Sequence, residues 1–138
     1  MFTIQKRMEI AVAHKLNLPY ESKCSNIHGH NLIITVWCRT EKLNDQGMVV
    51  DFTEIKRKIH DKLDHKNLNE IEEIGWVTGW PADGSISKTS PPVKMQKNPT
   101  AEILADWICH QIETCYKVSV QESEGNIATY ATDWQNYE

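Results

Sequence analysis

Cys24-Ser25-Asn26-Ile27-His28-Gly29-His30 runs directly into Leu32-Ile33-Ile34-Thr35-Val36-Trp37-Cys38. The second segment is rich in β-branched and aromatic residues and reads as a long strand over 30–40. Extended backbone puts side chains at i and i+2 on one face. His28 and His30 can therefore grip one cation, with Gly29 leaving the opposite face uncrowded. Upstream, His14 closes a strand-like run in which Phe2, Ile4, Met8, Ile10 and Val12 recur. Three neutral imidazoles leave one coordination position free, which suits a catalytic zinc better than a structural one. Zinc is favoured by imidazole ligands, although copper, nickel and iron accept them too. Cys24 has two readings at this point. It is a fourth ligand that closes the site, or a thiol acidified by a neighbouring dication and so a base or nucleophile.

The bulk properties narrow the classes. A chain of 138 residues is expected to form a single domain, 1–138, with oligomerisation helping a modest core. A net charge of −4 with 25 % charged residues argues against a general nucleic-acid binder, which carries a strongly basic face. No apolar run approaches the roughly 20 residues of a membrane-spanning helix. Met1-Phe2-Thr3-Ile4-Gln5 lacks the charged and apolar regions of a signal peptide. The four cysteines, Cys24, Cys38, Cys109 and Cys115, form no CxxC pair. Reduced thiols in a cytoplasmic setting are the expectation. Cys38 and Cys109 read as small core residues, and Cys115 has no visible role.

Further along, Asn17, Pro19, Ser22, Ser25 and Asn26 mark residues 15–27 as a loop. Asn44-Asp45-Gln46-Gly47 is a turn, and Met48-Val49-Val50 reads as a short strand leading to Asp51. A helix follows, capped by Asp51 or Thr53, with Phe52, Ile55, Ile59 and Leu63 at helical spacing, closing near Asp64-His65. Residues 71–97 contain Gly75, Gly79, Pro81, Gly84, Pro91 and Pro92 beside Trp76 and Trp80. They read as an inserted surface loop, with room for a short hairpin of its own. Asn98 as N-cap and Pro99 at the first helical position start a second helix striped by Ile103, Leu104, Trp107, Ile108 and Ile112. Residues 116–121 alternate as a strand, Glu124-Gly125-Asn126 turns, and Ile127 to Ala131 forms the last strand.

Two further sites carry chemistry. In Asp64-His65 a carboxylate can orient an imidazole and raise its basicity, giving a proton relay, and the same pair also suits a solvated helix terminus. Glu122, after an alternating strand, can accept two parallel N–H bonds from a guanidine-like ring edge, as in a pterin or guanine, or simply end an exposed strand. Glu102 in the first turn of the second helix suits the helix dipole.

Together these segments resemble the 6-pyruvoyltetrahydropterin synthase and 6-carboxytetrahydropterin synthase family. The matching pieces are Ala13-His14, the Cys24-to-His30 motif, Gly47-Met48-Val49-Val50-Asp51-Phe52, Leu63-Asp64-His65 with Leu68-Asn69, Asn98-Pro99-Thr100-Ala101-Glu102, and Val118-Ser119-Val120-Gln121-Glu122. The resemblance implies an α+β tunnelling fold: a four-stranded antiparallel sheet with two helices on one face. It implies assembly into barrels, as trimers paired into hexamers, with active sites between subunits. It implies Zn2+ on His14, His28 and His30, Cys24 as catalytic thiol, Asp64 and His65 as relay, and Glu122 as pterin anchor. Three residues separate Cys24 from the His-Gly-His, as in the bacterial carboxy-type enzymes, rather than the five of the animal pyruvoyl-type. The implied reaction converts 7,8-dihydroneopterin triphosphate to 6-carboxytetrahydropterin, acetaldehyde and triphosphate, for 7-deazaguanine (queuosine-type) biosynthesis. A pyruvoyl-type lyase and a non-catalytic pterin-binding zinc module are the alternatives. Lys15, Lys23 and Lys66 are candidates to meet the triphosphate.

Overall fold

The computed structural model describes residues 1–132. Its frame is one antiparallel strand pair. β1 (Phe2–His14) lies against β2 (His28–Thr40) in unbroken register, from Phe2 opposite Thr40 to His14 opposite His28. β2 then pairs with β6 (Cys115–Ser123), and β6 with β7 (Asn126–Ala131), both antiparallel. These four strands are the antiparallel sheet that the sequence leads one to expect.

Alternation along the strands decides which face is covered. Met8, Ile10 and Val12 of β1, Leu32, Ile34, Val36 and Cys38 of β2, and Val118 and Val120 of β6 are all buried. Burying one such aliphatic side chain is worth about 1.5–3 kcal/mol. Onto this face pack two helical elements. The first begins as α1 (Phe52–Ile55), widens into a π-helical stretch (Lys56–His60) and ends as α2 (Asp61–Leu63). Its cap is Asp51, whose Oδ1 accepts from Thr53 N–H at 2.8 Å. Ile55, Ile59 and Leu63 are fully buried, whereas Phe52 stays half exposed. The second helix is flanked by β6 and β7 and buries Leu104, Ala105 and Ile108. Cys38, Cys109 and Cys115 all lie in the core, and all four cysteines are free thiols.

Three local expectations are corrected. Met48-Val49-Val50 is not a strand. Asn44 organises the turn before it, its Oδ1 accepting from Gln46 N–H and Met48 N–H, and Val49 joins the core through its side chain without strand pairing. The second helix starts later than Asn98-Pro99 predicts, as α4 (Ala101–Cys109) capped by Thr100, whose Oγ1 accepts from Ile103 N–H. Asn98 is engaged elsewhere: its side chain accepts from Asn17 N–H and donates to Asn17 C=O. The main sheet also has a fifth member, the two-residue β3 (Lys66–Asn67), parallel to β1 at Val12 and Ala13.

Residues 71–97 carry the short helix α3 (Glu72–Gly75) and an antiparallel hairpin of β4 (Trp76–Gly79) with β5 (Val93–Gln96). The hairpin is seated on residue 69. Trp76 Nε1–H donates to Asn69 C=O at 3.1 Å, and a Cβ built on Gly75 would fall 2.6 Å from that same oxygen. Only glycine allows so close a backbone approach. No helix among the described residues is long and apolar enough to cross a membrane.

Candidate active site

The register of β1 against β2 builds the centre of the site. His14 sits directly opposite His28, and His30, two residues on, falls on the same face opposite Val12. Directly opposed side chains on a sheet are about 4.5–5.5 Å apart at Cβ, so three imidazoles converge. Their ring centroids lie 4.7, 5.0 and 4.9 Å apart pairwise. One nitrogen from each comes within 4.8 Å of the others, a spacing that lets all three bind one metal ion.

Hydrogen bonds orient two of these rings. His14 Nδ1 is 2.8 Å from Pro99 C=O, and His28 Nδ1 is 2.8 Å from Asn26 C=O. A carbonyl can only accept, so each Nδ1 carries the proton and each Nε2 keeps its lone pair for a cation, the usual outer support of a metal-binding histidine. His14 is 3 % exposed, and this burial holds its pKa below the ordinary histidine value. The neutral imidazole is the form a metal requires. The donor set, its spacing and its protonation therefore fit a divalent cation.

Cys24 stands outside this cluster. It occupies a single 3-10 turn (Lys23–Ser25) whose cap, Ser22, accepts from Cys24 N–H through its hydroxyl at 3.1 Å. Cys24 C=O in turn accepts from Leu16 N–H at 2.7 Å, tying the turn to the chain just past His14. The thiol is part-exposed.

Glu122 approaches from the far side of the sheet pairing. β6 shifts register against β7 between Gln121 and Ser123, so Glu122 sits at a bulge. Two-residue alternation puts Glu122 on the face of the buried Val118 and Val120, where it shares a lining with His14. Burial, the larger effect, still holds the His14 pKa down, and the Glu122 charge opposes it weakly. Glu122 borders one narrow seam with His14, Pro99 and Thr100, and a second, open cleft with Glu102 and Asn126. Glu102 thus faces the same space as Glu122, which the helix dipole alone does not predict.

Asp64 and His65 are placed elsewhere. Asp64 Oδ1 accepts from Ala11 N–H at 3.0 Å, and His65 N–H donates to Ala11 C=O at 2.7 Å. This two-point clamp on β1 holds His65 at φ 61°, an uncommon conformation for a residue with a side chain. Asp64 Oδ2 lies 2.9 Å from His65 Nδ1. The Ala11 N–H first, and His65 second, hold the Asp64 carboxyl below the usual carboxylate range. The pair opens into a cleft of about 550 Å³ with Glu9, Asn31 and Ile33. None of the three clustered histidines lines it.

Two participants escaped sequence reasoning. The Pro99 carbonyl that orients His14 has no side-chain signature. Asn69 fixes the exit of β1, its Oδ1 accepting from Lys15 N–H and its Nδ2 donating to Lys15 C=O. Both positions lie in matched segments, Asn98-Pro99-Thr100 and Leu68-Asn69, which was the one signal available for either.

A family model described as 6-pyruvoyl tetrahydropterin synthase matches residues 3–133. The 6-carboxy-5,6,7,8-tetrahydropterin synthase of Bacillus subtilis is 26 % identical over 139 residues, covering 94 % of this chain and 84 % of its own. The 6-pyruvoyl tetrahydrobiopterin synthase of Dictyostelium discoideum is 33 % identical over 119 residues, covering 78 % and 73 %. Among solved structures, Caenorhabditis elegans 6-pyruvoyl tetrahydropterin synthase superposes with a TM-score of 0.62 at 24 % identity, covering 96 % of each chain, which speaks to the fold. On the match over residues 3–133, the chain belongs to the 6-pyruvoyl tetrahydropterin synthase family.

Proposed function

We propose that this protein is a zinc-dependent lyase converting 7,8-dihydroneopterin triphosphate to 6-carboxytetrahydropterin, acetaldehyde and triphosphate, within 7-deazaguanine (queuosine-type) biosynthesis. The observation that carries the reading is the cluster of His14, His28 and His30, with two lone pairs presented by hydrogen bonds through Nδ1. The carboxy-type product is supported by the three-residue gap between Cys24 and His28 and by the Bacillus subtilis relative.

The roles follow from position. His14, His28 and His30 would hold the zinc, which would supply Lewis acidity at this end of the site. Glu122 accepts N–H bonds from the pterin ring edge and so orients the side chain. Cys24 moves a proton on or off the side-chain carbons, and His65, oriented through Nδ1 by Asp64, handles the second proton at its other nitrogen. Asp64 and His65 line a different cleft from the histidine cluster, which supports a site completed by a second subunit in a homo-oligomer built from trimers. The half-exposed Phe2, Met48 and Phe52, gathered round one apolar cleft of about 300 Å³, support such an assembly. The pathway places the protein in the cytoplasm, where its four free thiols stay reduced.

The test is to incubate zinc-loaded protein with dihydroneopterin triphosphate and weigh the products. Acetaldehyde with a carboxypterin is expected. A pyruvoylpterin would instead assign the pyruvoyl-type reaction, and bound but unchanged substrate a pterin-binding module. Cys24→Ala should retain zinc and lose turnover. Loss of zinc in that variant would make Cys24 a ligand.

A further inference from the structure

A further cleft, of about 200 Å³, is lined by Lys15, Asn17, Ser25, Asn69, Lys97 and Asn98 among others. Its lining borders the site residue by residue: Lys15 follows His14, Ser25 follows Cys24, and Asn98 precedes the Pro99 that orients His14. Among the described residues no carboxylate lines it, in a chain whose net charge is −4. Among the described residues, neither Lys15 nor Lys97 has an ion-pair partner, whereas Lys56, Lys58, Lys62 and Lys94 are each paired with an acid.

The cleft is also built. Asn69 and Asn98 each bind the backbone of the Lys15–Asn17 segment through both side-chain groups, which fixes the wall carrying Lys15. The opposite wall comes from the β4–β5 hairpin. Lys97 follows β5, and its N–H donates to Gly75 C=O at 2.9 Å, the residue packed on Asn69. One asparagine thus sets both lysine-bearing walls.

We infer that this cleft is the subsite for the substrate's phosphate chain, with Lys15 and Lys97 as its cationic groups. The inference rests on the proposed reaction and adds to it the role of the hairpin. Ammonium groups serve phosphate as mobile point charges, and their attraction is strong where no acid competes. The amide and hydroxyl groups of Asn17 and Ser25 remain to share the phosphate oxygens.

The test uses zinc-loaded wild type, Lys15→Gln, Lys97→Gln and, as a control on the hairpin outside the cleft, Lys88→Gln. Calorimetry with inorganic tripolyphosphate is followed by zinc assay of each sample, because the probe is itself a chelator. Each cleft variant should weaken tripolyphosphate about tenfold, the scale of one hydrogen bond to a charged group. KM for dihydroneopterin triphosphate should rise by a similar factor, with the loss falling on KM rather than kcat. Binding of phosphate-free dihydroneopterin and the behaviour of Lys88→Gln should not change. Unaltered tripolyphosphate affinity in both cleft variants, or an equal loss for the phosphate-free compound, would overturn the assignment. Lysine-dependent tripolyphosphate binding without turnover in wild type would leave the cleft standing and remove the proposed reaction.

Discussion

The histidine end of the β1–β2 pair and the Asp64-His65 turn both hang on β1, yet they are built to opposite standards. His14 is 3 % exposed, opposed to His28 across a regular ladder and locked by Pro99. The His65 side chain is 82 % exposed, on a residue at φ 61°. Its position is determined by the backbone clamp at Ala11, and among the described residues its ring is held by Asp64 alone. The first group is gathered within one chain, and burial lowers the pKa of His14. The second presents an oriented but uncovered imidazole, as suits a group that does its work against another surface. A cation binds best where its protein ligands are already held together, because ordering them at binding costs affinity. A proton relay needs only one nitrogen aimed outward.

The sharpest way to break this comparison is at the histidines. His28→Ala should abolish stoichiometric zinc in the purified protein, while the four-strand sheet survives by circular dichroism. Retained zinc would mean that the cluster is not the metal site. A second experiment asks whether the two regions meet between subunits. Cys24→Ala and His65→Ala, each expected to be inactive alone, are unfolded together and refolded as a mixture. If each site draws its thiol and its imidazole from different subunits, about one quarter of the sites regain both, and activity returns to that level. If both come from one chain, every chain carries a defect and nothing returns.

The smallest effect concerns Asp64. Its pKa in the folded state is lowered, so the stability it contributes is present above the ordinary value of 3.8 and is lost as pH falls through the lowered one. Asp64→Asn keeps an acceptor for Ala11 N–H and removes the charge. The variant should melt slightly below wild type at neutral pH and match it at the acid end. The gap stays small because the carboxylate is solvent-screened. A gap that widens with acid would reverse the assigned sign.

Much of the frame was legible in advance because its signals are local. Strand-former composition marked the two long strands, and helical spacing marked Ile55, Ile59 and Leu63 as core. The failures came where two physical effects compete for one residue. Asn98 before Pro99 has good capping chemistry, but its amide is used to bind Asn17, and the cap passes to Thr100. Met48-Val49-Val50 has strand composition, yet after the Asn44 turn its valine serves the core by packing and makes no pairing. Composition reports what a side chain can do, and it does not report which partner reaches it first.

By itself the sequence determined the imidazole pair of His28 and His30, since a two-residue period in extended backbone is a local property. It also determined the family, through motifs in a fixed order. Tertiary structure alone decided that His14 stands opposite His28, that Glu122 and His14 border one seam, and that Asn69 couples the hairpin to Lys15. Each of these depends on strand register or on a backbone contact between distant segments. Register is set by the summed packing of a whole face, so no short motif can state it.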